Sequence, residues 1–348
     1  MRKILCLIMI IMCLVFVGCA EKITGQPVKE DILKVGFIGP LTGDAAFIGE
    51  PIRKGVELAA SDLEVEMFYQ DGRCNGKDAL GAYRTLRDVH KVDAIIVVCS
   101  PELLAIAPVA ELDGVLVISP SATAPSITDA GEHVFRLAPS DALQGKVGAK
   151  LMVEKGFSEI AILHISHDYG VGLRDVVKAE IGDKIFATES FEPDSKDFRT
   201  QLTKIKDVDA IYLVAFPKDA ALALKQIKEM GIEAQVVAVE GAKDSEVLPF
   251  GEGILITVPM AEGDKYSDFA AKYLAKFGED PKLYSGEAYD TMNVVALAAE
   301  KSDDVVEGMK LVKSFDGVAG TVVFDAFGDI EKPYDLFTVE GGAFVKVQ

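Results

Sequence analysis

Short, largely apolar segments alternate with longer segments of helical periodicity from Ile32 to the C-terminus. The apolar segments include ILKVGFIG, DAIIVV and GVLVIS, which do not alternate strictly between apolar and polar residues. Strands of this kind are typical of a parallel sheet covered on both faces, and the intervening helices would provide that cover. The pattern therefore predicts an α/β chain with doubly wound sheets.

The pattern occurs twice, which predicts two lobes. A second series begins after HVFRLAPSD and includes the strand-like segments EIAILHI, DAIYLVAF and AQVVAVE. The 348 residues are enough for two domains, and a hydrophobic content of 49% is enough for two cores. Ligands of such sheets bind beyond the carboxyl ends of the strands, so the two lobes are expected to enclose a binding cleft.

The N-terminus carries a predicted export signal over residues 1–18. The sequence MRKILCLIMIIMCLVFVGCA begins with Arg2 and Lys3, continues as an apolar run and ends in Gly18 and Cys19. The ending VFVGC resembles a lipoprotein signal, in which Cys19 would carry the lipid; the alternative is an ordinary signal that happens to end at a cysteine. Residues 19–31 are polar and predict a tether. These features predict an exported, lipid-anchored protein of the periplasm or cell surface.

Two cysteines remain once the export signal and its last cysteine are set aside. Cys74 and Cys99 form an even pair in a chain predicted to be exported, so a disulfide is the natural hypothesis. The alternative is two buried free thiols. A disulfide that closes a loop of this length would add about 3 kcal/mol of stability in the chain-entropy model.

Charge and motifs argue against several functional classes. The formal charge of −19 is a poor match to nucleic acid or to an anionic membrane surface. No dinucleotide fingerprint follows the first strand, and neither a phosphate-binding loop nor a serine nucleophile elbow occurs. His164 and His167 are too few ligands for a metal site. We expect no metal, no cofactor and no catalysis, with a secreted enzyme that uses Asp168 or Glu240 as the open alternative.

Polar and aromatic residues follow the ends of several predicted strands, where a ligand would bind. Serines and threonines there are most often helix caps or turn residues. A carboxylate at the end of a buried strand is costly unless it is paired, either with a ligand ammonium or with a neighbouring lysine. The residues concerned are Ser100, Ser121, Thr123, Tyr169, Phe216 and Glu240.

Several longer segments resemble the amino-acid-binding proteins of ABC importers, of the type I periplasmic fold and the leucine/isoleucine/valine-binding branch. The resemblance implies two doubly wound, Rossmann-like lobes joined by a three-strand hinge, with crossings near Asp141, Met260 and Gly328. It implies a first lobe of residues 32–141 and 261–328 and a second lobe of residues 142–260 and 329–348. The segments are KVGFIGPLTGDAAFIGEPIRKGVELA, VVCSPELLAIAPV, GVLVISPSATAPSIT, FRLAPSDALQG, IAILHISHDYGVGL, AVEG and YDTMNVVALA.

The resemblance also implies a site for the two charged groups of an amino acid. The ligand carboxylate would meet the N–H and hydroxyl of Ser100 and the N–H of Thr123. The ammonium would meet the carbonyl of Ser121, the hydroxyl of Thr123 and the carboxylate of Glu240. Ala122 belongs to the same loop. These groups are the donors and acceptors that a zwitterion requires.

The wall of the implied site is apolar, which favours an aliphatic or aromatic ligand side chain. Tyr169 matches a family position of the second lobe, whereas Ile48 and Phe216 stand where Tyr or Trp and Tyr are typical. The resemblance implies a monomer that delivers an amino acid to membrane permease subunits, contacting the membrane through its lipid anchor alone. A sensor or a regulator that binds an amide or organic acid on the same fold is the alternative.

Overall fold

The computed structural model describes residues 32–43, 45–260 and 263–347. The predicted signal peptide and tether, including Cys19, lie outside these residues. The described residues form two helix-covered sheets, which confirms the predicted α/β class. No helix in these three ranges is long and apolar enough to cross a membrane.

The first lobe contains a five-stranded sheet in the order β2-β1-β3-β4-β5, and all of its neighbouring strands are parallel. The apolar segments that predicted this sheet form β1, β3 and β4, which are almost entirely buried. The strands are β1 (Leu33–Gly39), β2 (Val65–Asp71), β3 (Ala94–Val97), β4 (Leu116–Ser119) and β5 (Val134–Arg136).

Helices from both ends of the described chain cover the first sheet. Met292 and Val295 of a late helix pack in one core with Phe37 and Ile96 of the sheet, so the chain returns to this lobe after it has built the second. The elements are α1 (Ala46–Ala60), α2 (Gly76–Arg84) with a π-helical extension (Thr85–His90), α3 (Ser100–Asp113), α8 (Tyr266–Phe277), α9 (Ser285–Lys301), α10 (Val305–Leu311) and the hairpin β11 (Ser314–Gly317) and β12 (Gly320–Val323).

The second lobe contains a seven-stranded sheet in the order β14-β13-β10-β9-β8-β6-β7. Strands β6 to β10 are parallel, and β13 and β14 add an antiparallel edge. The strands are β6 (Ile160–Ile165), β7 (Ile185–Phe191), β8 (Ala210–Val214), β9 (Gln235–Val239), β10 (Leu255–Pro259), β13 (Tyr334–Glu340) and β14 (Ala343–Lys346). The helices are α4 (Asp141–Glu154), α5 (Asp168–Ile181), α6 (Arg199–Lys204) and α7 (Pro217–Glu229).

The start of α1 differs from the sequence-based prediction. The pattern predicts a helix from Pro51, but the helix begins at Ala46 and contains that proline. Close packing holds the additional turn in place: a Cβ on Gly49 would lie 2.0 Å from the carbonyl oxygen of Pro40. The glycine therefore lets the first turn of α1 lie directly against the end of β1, which brings Phe47 to the carboxyl edge of the sheet.

The predicted disulfide between Cys74 and Cys99 is present, so the alternative of two free thiols is wrong. Its Cα atoms are 5.3 Å apart, and it joins the loop after β2 to the start of α3. The carboxylate of Glu102 accepts the N–H groups of both cysteines at 2.9 Å, which fixes the two ends of the bridge. Burial raises the pKa of Glu102 to about 7.

A buried ion pair holds the loop that follows β4. The guanidinium of Arg136, at the end of β5, donates two hydrogen bonds of 2.7 and 2.6 Å to the carboxylate of Asp329. The same guanidinium donates to the carbonyl of Ala124 at 3.0 Å, and the hydroxyl of Thr128 donates to Asp329 at 2.7 Å. The loop is thereby attached to the segment that leads into β13.

Candidate functional site

A cavity of about 970 Å³ lies between the two lobes, at the carboxyl ends of their parallel strands. Residues from both sheets line it, as expected for a ligand site of doubly wound sheets. The lining includes seven residues that the sequence analysis singled out: Ile48, Ser100, Ser121, Thr123, Tyr169, Phe216 and Glu240.

Ala122 departs from the predicted set because it does not line the cavity. Its side chain is 1% exposed and packs in the core beside Val117 and Leu103. Its N–H donates to the hydroxyl oxygen of Ser119 at 2.8 Å. Ala122 therefore shapes the loop, and its side chain is not part of the cavity surface.

Ser100 presents a hydroxyl donor on the first-lobe side. It is the first residue of α3, and its oxygen accepts the N–H groups of Thr123 and Ala124, each at 3.2 Å. Because the oxygen already accepts two bonds, its own proton remains to be donated, which suits a ligand carboxylate. The N–H of Thr123, expected to bind that carboxylate, donates to Ser100 instead.

The hydroxyl of Thr123 is left as an acceptor, whereas that of Ser100 is left as a donor. The Thr123 hydroxyl donates to the carboxylate of Asp141 at 2.9 Å, and the Thr123 carbonyl accepts the N–H of Asp141 at 2.8 Å. With its proton committed, the hydroxyl oxygen offers lone pairs, which suit a ligand ammonium. This reciprocal pair also joins the loop after β4 to the first residue of α4.

The hydroxyl of Ser121 donates to the carbonyl of Val98 at 2.8 Å.

Glu240 lies on the second-lobe side, directly after β9. One carboxylate oxygen accepts the hydroxyl of Tyr169 at 3.0 Å, and the other accepts no hydrogen bond within 3.5 Å in the described part of the chain. The side chains of Gln144 and Tyr284 lie close enough to oppose the rise that burial causes in the pKa of Glu240. Two glycines allow this arrangement: a Cβ on Gly241 would lie 2.7 Å from the carbonyl oxygen of Ala215, and one on Gly170 would lie 2.0 Å from that of Ile165.

Glu240 and Asp141 are buried acids without a cation in contact. Their residues are 4% and 0% exposed, and neither makes an ion pair with another described residue. Burial raises the pKa of Glu240, and burial together with the nearby Glu240 carboxyl raises the pKa of Asp141. One oxygen of each carboxyl is unpartnered within the described ranges, so the pair is poised to receive a positive charge.

Aromatic rings form one wall of the cavity. Tyr169 and Phe216 are stacked with centroids 5.8 Å apart and an interplanar angle of 6°. His167 lies 5.4 Å from Phe216, and Phe47 of the first lobe meets the same ring edge-on at 5.4 Å. Burial lowers the pKa of His167 to about 4, so the imidazole is neutral near pH 7.

The histidine pair of the sequence analysis does not build a metal centre in the described residues. His164 lies within β6 and is 2% exposed, whereas His167 stands in the cavity wall. No group of three or more His, Cys, Asp or Glu side chains in the described ranges could hold a metal ion.

Sequence reasoning missed part of this site. Asp141 follows a loop and begins a helix, where an acid is commonly explained by the helix dipole alone. Phe47 precedes Pro51, the predicted start of α1, so the sequence pattern does not place it in a helix. Tyr284 lines the cavity from a left-handed backbone position (φ 63°) just before α9. Only the packing of the two lobes brings these residues together.

The arrangement as a whole can hold a small zwitterion. Ser100 offers a donor and Thr123 an acceptor on the first-lobe side, while Glu240 offers an acceptor on the second-lobe side. The wall between them is aromatic and aliphatic. Charged hydrogen bonds of this kind are strengthened in a cleft from which water is excluded.

Comparisons with known proteins agree with this geometry. A family described as "Periplasmic binding protein" matches residues 32–343. The leucine-, isoleucine-, valine-, threonine- and alanine-binding protein of Pseudomonas aeruginosa is 30% identical over an alignment of 337 positions that covers 89% of each chain. Residues 32–343 include strands of both sheets and most of the cavity lining.

Solved structures share the two-lobed fold. The branched-chain amino acid transporter substrate-binding protein of Streptococcus pneumoniae, in complex with isoleucine, has a TM-score of 0.83 and 26% identity over 91% of this chain and 99% of that one. A solute-binding protein of R. palustris in complex with benzoate has the same TM-score with 19% identity, over 91% and 96% of the chains, and shows the fold alone.

These findings define the family and its general activity. Periplasmic binding proteins bind solutes and catalyse no reaction, and membership implies a location outside the cytoplasm. The chain therefore belongs to the periplasmic binding protein family, with the two-lobed type I fold of the ABC transporter substrate-binding proteins.

Proposed function

We propose that this protein binds an α-amino acid with an apolar, branched-chain or similar side chain and delivers it to an ABC importer. The observation that carries the proposal is Glu240, a buried carboxylate with an oxygen that no described residue satisfies. A buried charge without a partner is expensive, and a ligand ammonium would remove that cost.

The ligand orientation follows from the hydrogen-bonding roles. The ammonium lies against Glu240, the hydroxyl oxygen of Thr123 and the carbonyl of Ser121. The carboxylate accepts the hydroxyl proton of Ser100 and faces the N-terminal end of α3, where the helix dipole favours negative charge. The side chain then lies against Ile48 and the aromatic wall.

The binding properties of relatives support the choice of ligand class. The P. aeruginosa relative is named for binding leucine, isoleucine, valine, threonine and alanine, and the S. pneumoniae structure contains isoleucine. Benzoate, found in the R. palustris structure, carries a carboxylate but no ammonium. The acidic face formed by Glu240 and Asp141 disfavours such an anion.

Lobe closure provides the capture step. We place the first lobe at residues 32–141 and 261–328 and the second at 142–260 and 329–348, with hinge crossings near Asp141, Met260 and Gly328. Closure brings Glu240 onto a ligand that is already held by the first lobe. The tight backbone at the third crossing supports this division: Gly328 has φ 78°, and its Cβ would lie 2.4 Å from the carbonyl oxygen of Val134.

A ligand panel tests the proposal. The domain from residue 20 is heated with the twenty amino acids and with benzoate, and the thermal midpoint is recorded. A ligand at 100 times its Kd should stabilise the protein by about 2.7 kcal/mol. We expect shifts with leucine, isoleucine or valine and none with benzoate. No shift with any amino acid, or a shift with benzoate alone, would overturn the proposal.

The predicted lipid anchor needs a separate measurement. Cells that express the full chain are grown with a radiolabelled fatty acid, with a Cys19→Ser variant as the matched control. We expect the label in the native protein and its loss in the variant. An unlabelled native protein would leave an ordinary secretory signal as the explanation of residues 1–18.

A further inference from the structure

A second, smaller cavity of about 310 Å³ adjoins the ligand cavity. Four residues line both cavities and therefore form the partition between them: Phe47, Cys74, His167 and Phe216. The partition stands at the end of the ligand cavity where Ile48 and Phe216 are proposed to contact the ligand side chain.

We call the smaller cavity the outer chamber and the ligand cavity the inner chamber; charged side chains line parts of both. The outer chamber is lined by charged side chains, among them Arg73, Asp194, Lys218 and Asp219. The inner chamber meets the partition with the apolar surfaces of Ile48 and the disulfide. An apolar side chain is therefore favoured on the inner side, and the partition ends the space available to it.

Phe47 contributes the first lobe's aromatic ring to this partition. It meets Phe216 of the second lobe with centroids 5.4 Å apart and an interplanar angle of 65°, an edge-to-face contact. The position of Phe216 is fixed by its stacking on Tyr169 and by the contact with His167. Phe47 lies two residues before Gly49, whose close approach to Pro40 holds the first turn of α1 against the end of β1. Both sides of the contact are thus held in place.

This inference rests on the proposed function and names a limit on its substrates. We propose that Phe47 sets the maximum size of the ligand side chain, because its ring closes the inner chamber when the lobes are together. On this proposal the side chains of leucine and isoleucine end before the ring. A ligand with a benzyl side chain needs the space that the ring of Phe47 occupies, so the native protein discriminates against it.

Removing the ring joins the two chambers and leaves a space the size of an aromatic ring. In a Phe47→Ala protein, phenylalanine as ligand would place its own ring there, against Phe216. Leucine would lose contact with the partition and gain nothing. If Phe47 had a purely structural role, the Phe47→Ala substitution would instead weaken the binding of all ligands by the same factor.

The test is the ratio of the dissociation constants for leucine and phenylalanine, measured by calorimetry. The proteins are the native domain, Phe47→Ala, the milder Phe47→Leu, and Phe186→Ala as a control. Phe186 is 55% exposed on β7 of the second lobe and does not line either chamber. We expect the native protein to prefer leucine and the Phe47→Ala substitution to shift the ratio at least tenfold towards phenylalanine. Phe47→Leu should shift it less, and Phe186→Ala should leave it unchanged.

Two results would overturn the inference while leaving the proposed function intact. One is a native protein that binds both ligands equally. The other is a ratio that stays constant in both Phe47 variants while the affinities fall together. If Phe47→Ala fails to fold, the shift in Phe47→Leu decides. A native protein that binds no amino acid would instead overturn the proposed function, and the size limit with it.

Discussion

Asp329 and Glu240 are both buried acids, but the protein supplies a cation to only one of them among its described residues. Asp329 receives two hydrogen bonds from the guanidinium of Arg136 and a third from the hydroxyl of Thr128. Glu240 receives the hydroxyl of Tyr169, and its second oxygen has no partner within the described ranges. The ion pair is complete without a ligand, whereas the Glu240 site is not.

The contrast separates a residue that stabilises the fold from one that binds. A satisfied buried pair contributes to the stability of the native state chiefly because breaking it leaves a charge uncompensated. An unsatisfied buried carboxylate lowers stability until a ligand arrives, so it persists only where binding requires it.

The largest expected effect is on the free energy of unfolding, and it follows from breaking the ion pair between Arg136 and Asp329. Arg136→Met leaves Asp329 buried and unpaired, which should reduce the free energy of unfolding by about 3–5 kcal/mol. Urea denaturation measures it. Adding Asp329→Asn to this variant removes the orphaned charge and should restore at least half of the loss. A cost under about 1 kcal/mol for the single substitution would contradict the role given to the pair.

The next effect is on binding, from the incomplete site. Glu240→Gln removes the charge that receives the ammonium, which should weaken amino-acid binding by about 2–5 kcal/mol. The free energy of unfolding of the ligand-free protein should be unchanged or higher, since a buried carboxyl that is costly to ionise has gone. Calorimetry and urea denaturation measure the two quantities, with the exposed Glu246→Gln as the matched control. A large loss of ligand-free stability would show that Glu240 is structural.

A smaller effect is the pH dependence of ligand-free stability. Burial raises the pKa of Glu240 and, together with Glu240, that of Asp141, so the folded protein holds protons that the unfolded chain has released. The contribution of these two carboxyls to the free energy of unfolding is fully present below the ordinary carboxyl pKa of about 4. It is lost as the pH rises through their raised pKa values. Each unit by which folding raises a pKa changes the free energy of unfolding by about 1.4 kcal/mol.

Thermal midpoints between pH 4 and pH 8 measure this dependence. The native ligand-free protein should lose stability more steeply with rising pH than Glu240→Gln does. Glu102 and Asp290, whose pKa values burial raises to about 7, contribute equally to both proteins and cancel in the difference. Parallel curves would mean that the Glu240 carboxyl is not perturbed.

Much of the fold was predictable because burial on both faces of a parallel sheet leaves a local signature. The segments DAIIVV and GVLVIS predicted β3 and β4, which are buried throughout. The early start of α1 was not predictable, because it depends on a packing contact between Gly49 and Pro40, which helical periodicity does not encode. The short helix α10 was also missed; it packs through Val306 and Met309 into the first core.

The candidate site likewise contains residues that the sequence indicates and residues that it does not. Glu240 could be singled out because a carboxylate at the end of a buried strand conflicts with its surroundings in the sequence itself. Asp141 could not, because an acid at a helix start has an ordinary explanation. Phe47 takes its place in the partition from a contact with Phe216 of the other lobe, and no local pattern encodes such a contact.

Leucine and 4-methylpentanoate differ only in the ammonium, so their comparison tests the central claim most directly. Calorimetric titration of the mature domain with each compound at pH 7.5 gives the two dissociation constants. If the unsatisfied oxygen of Glu240 awaits a ligand ammonium, leucine binds and 4-methylpentanoate binds at least 100-fold more weakly. Equal affinities, or tighter binding of the compound without the ammonium, would contradict the account.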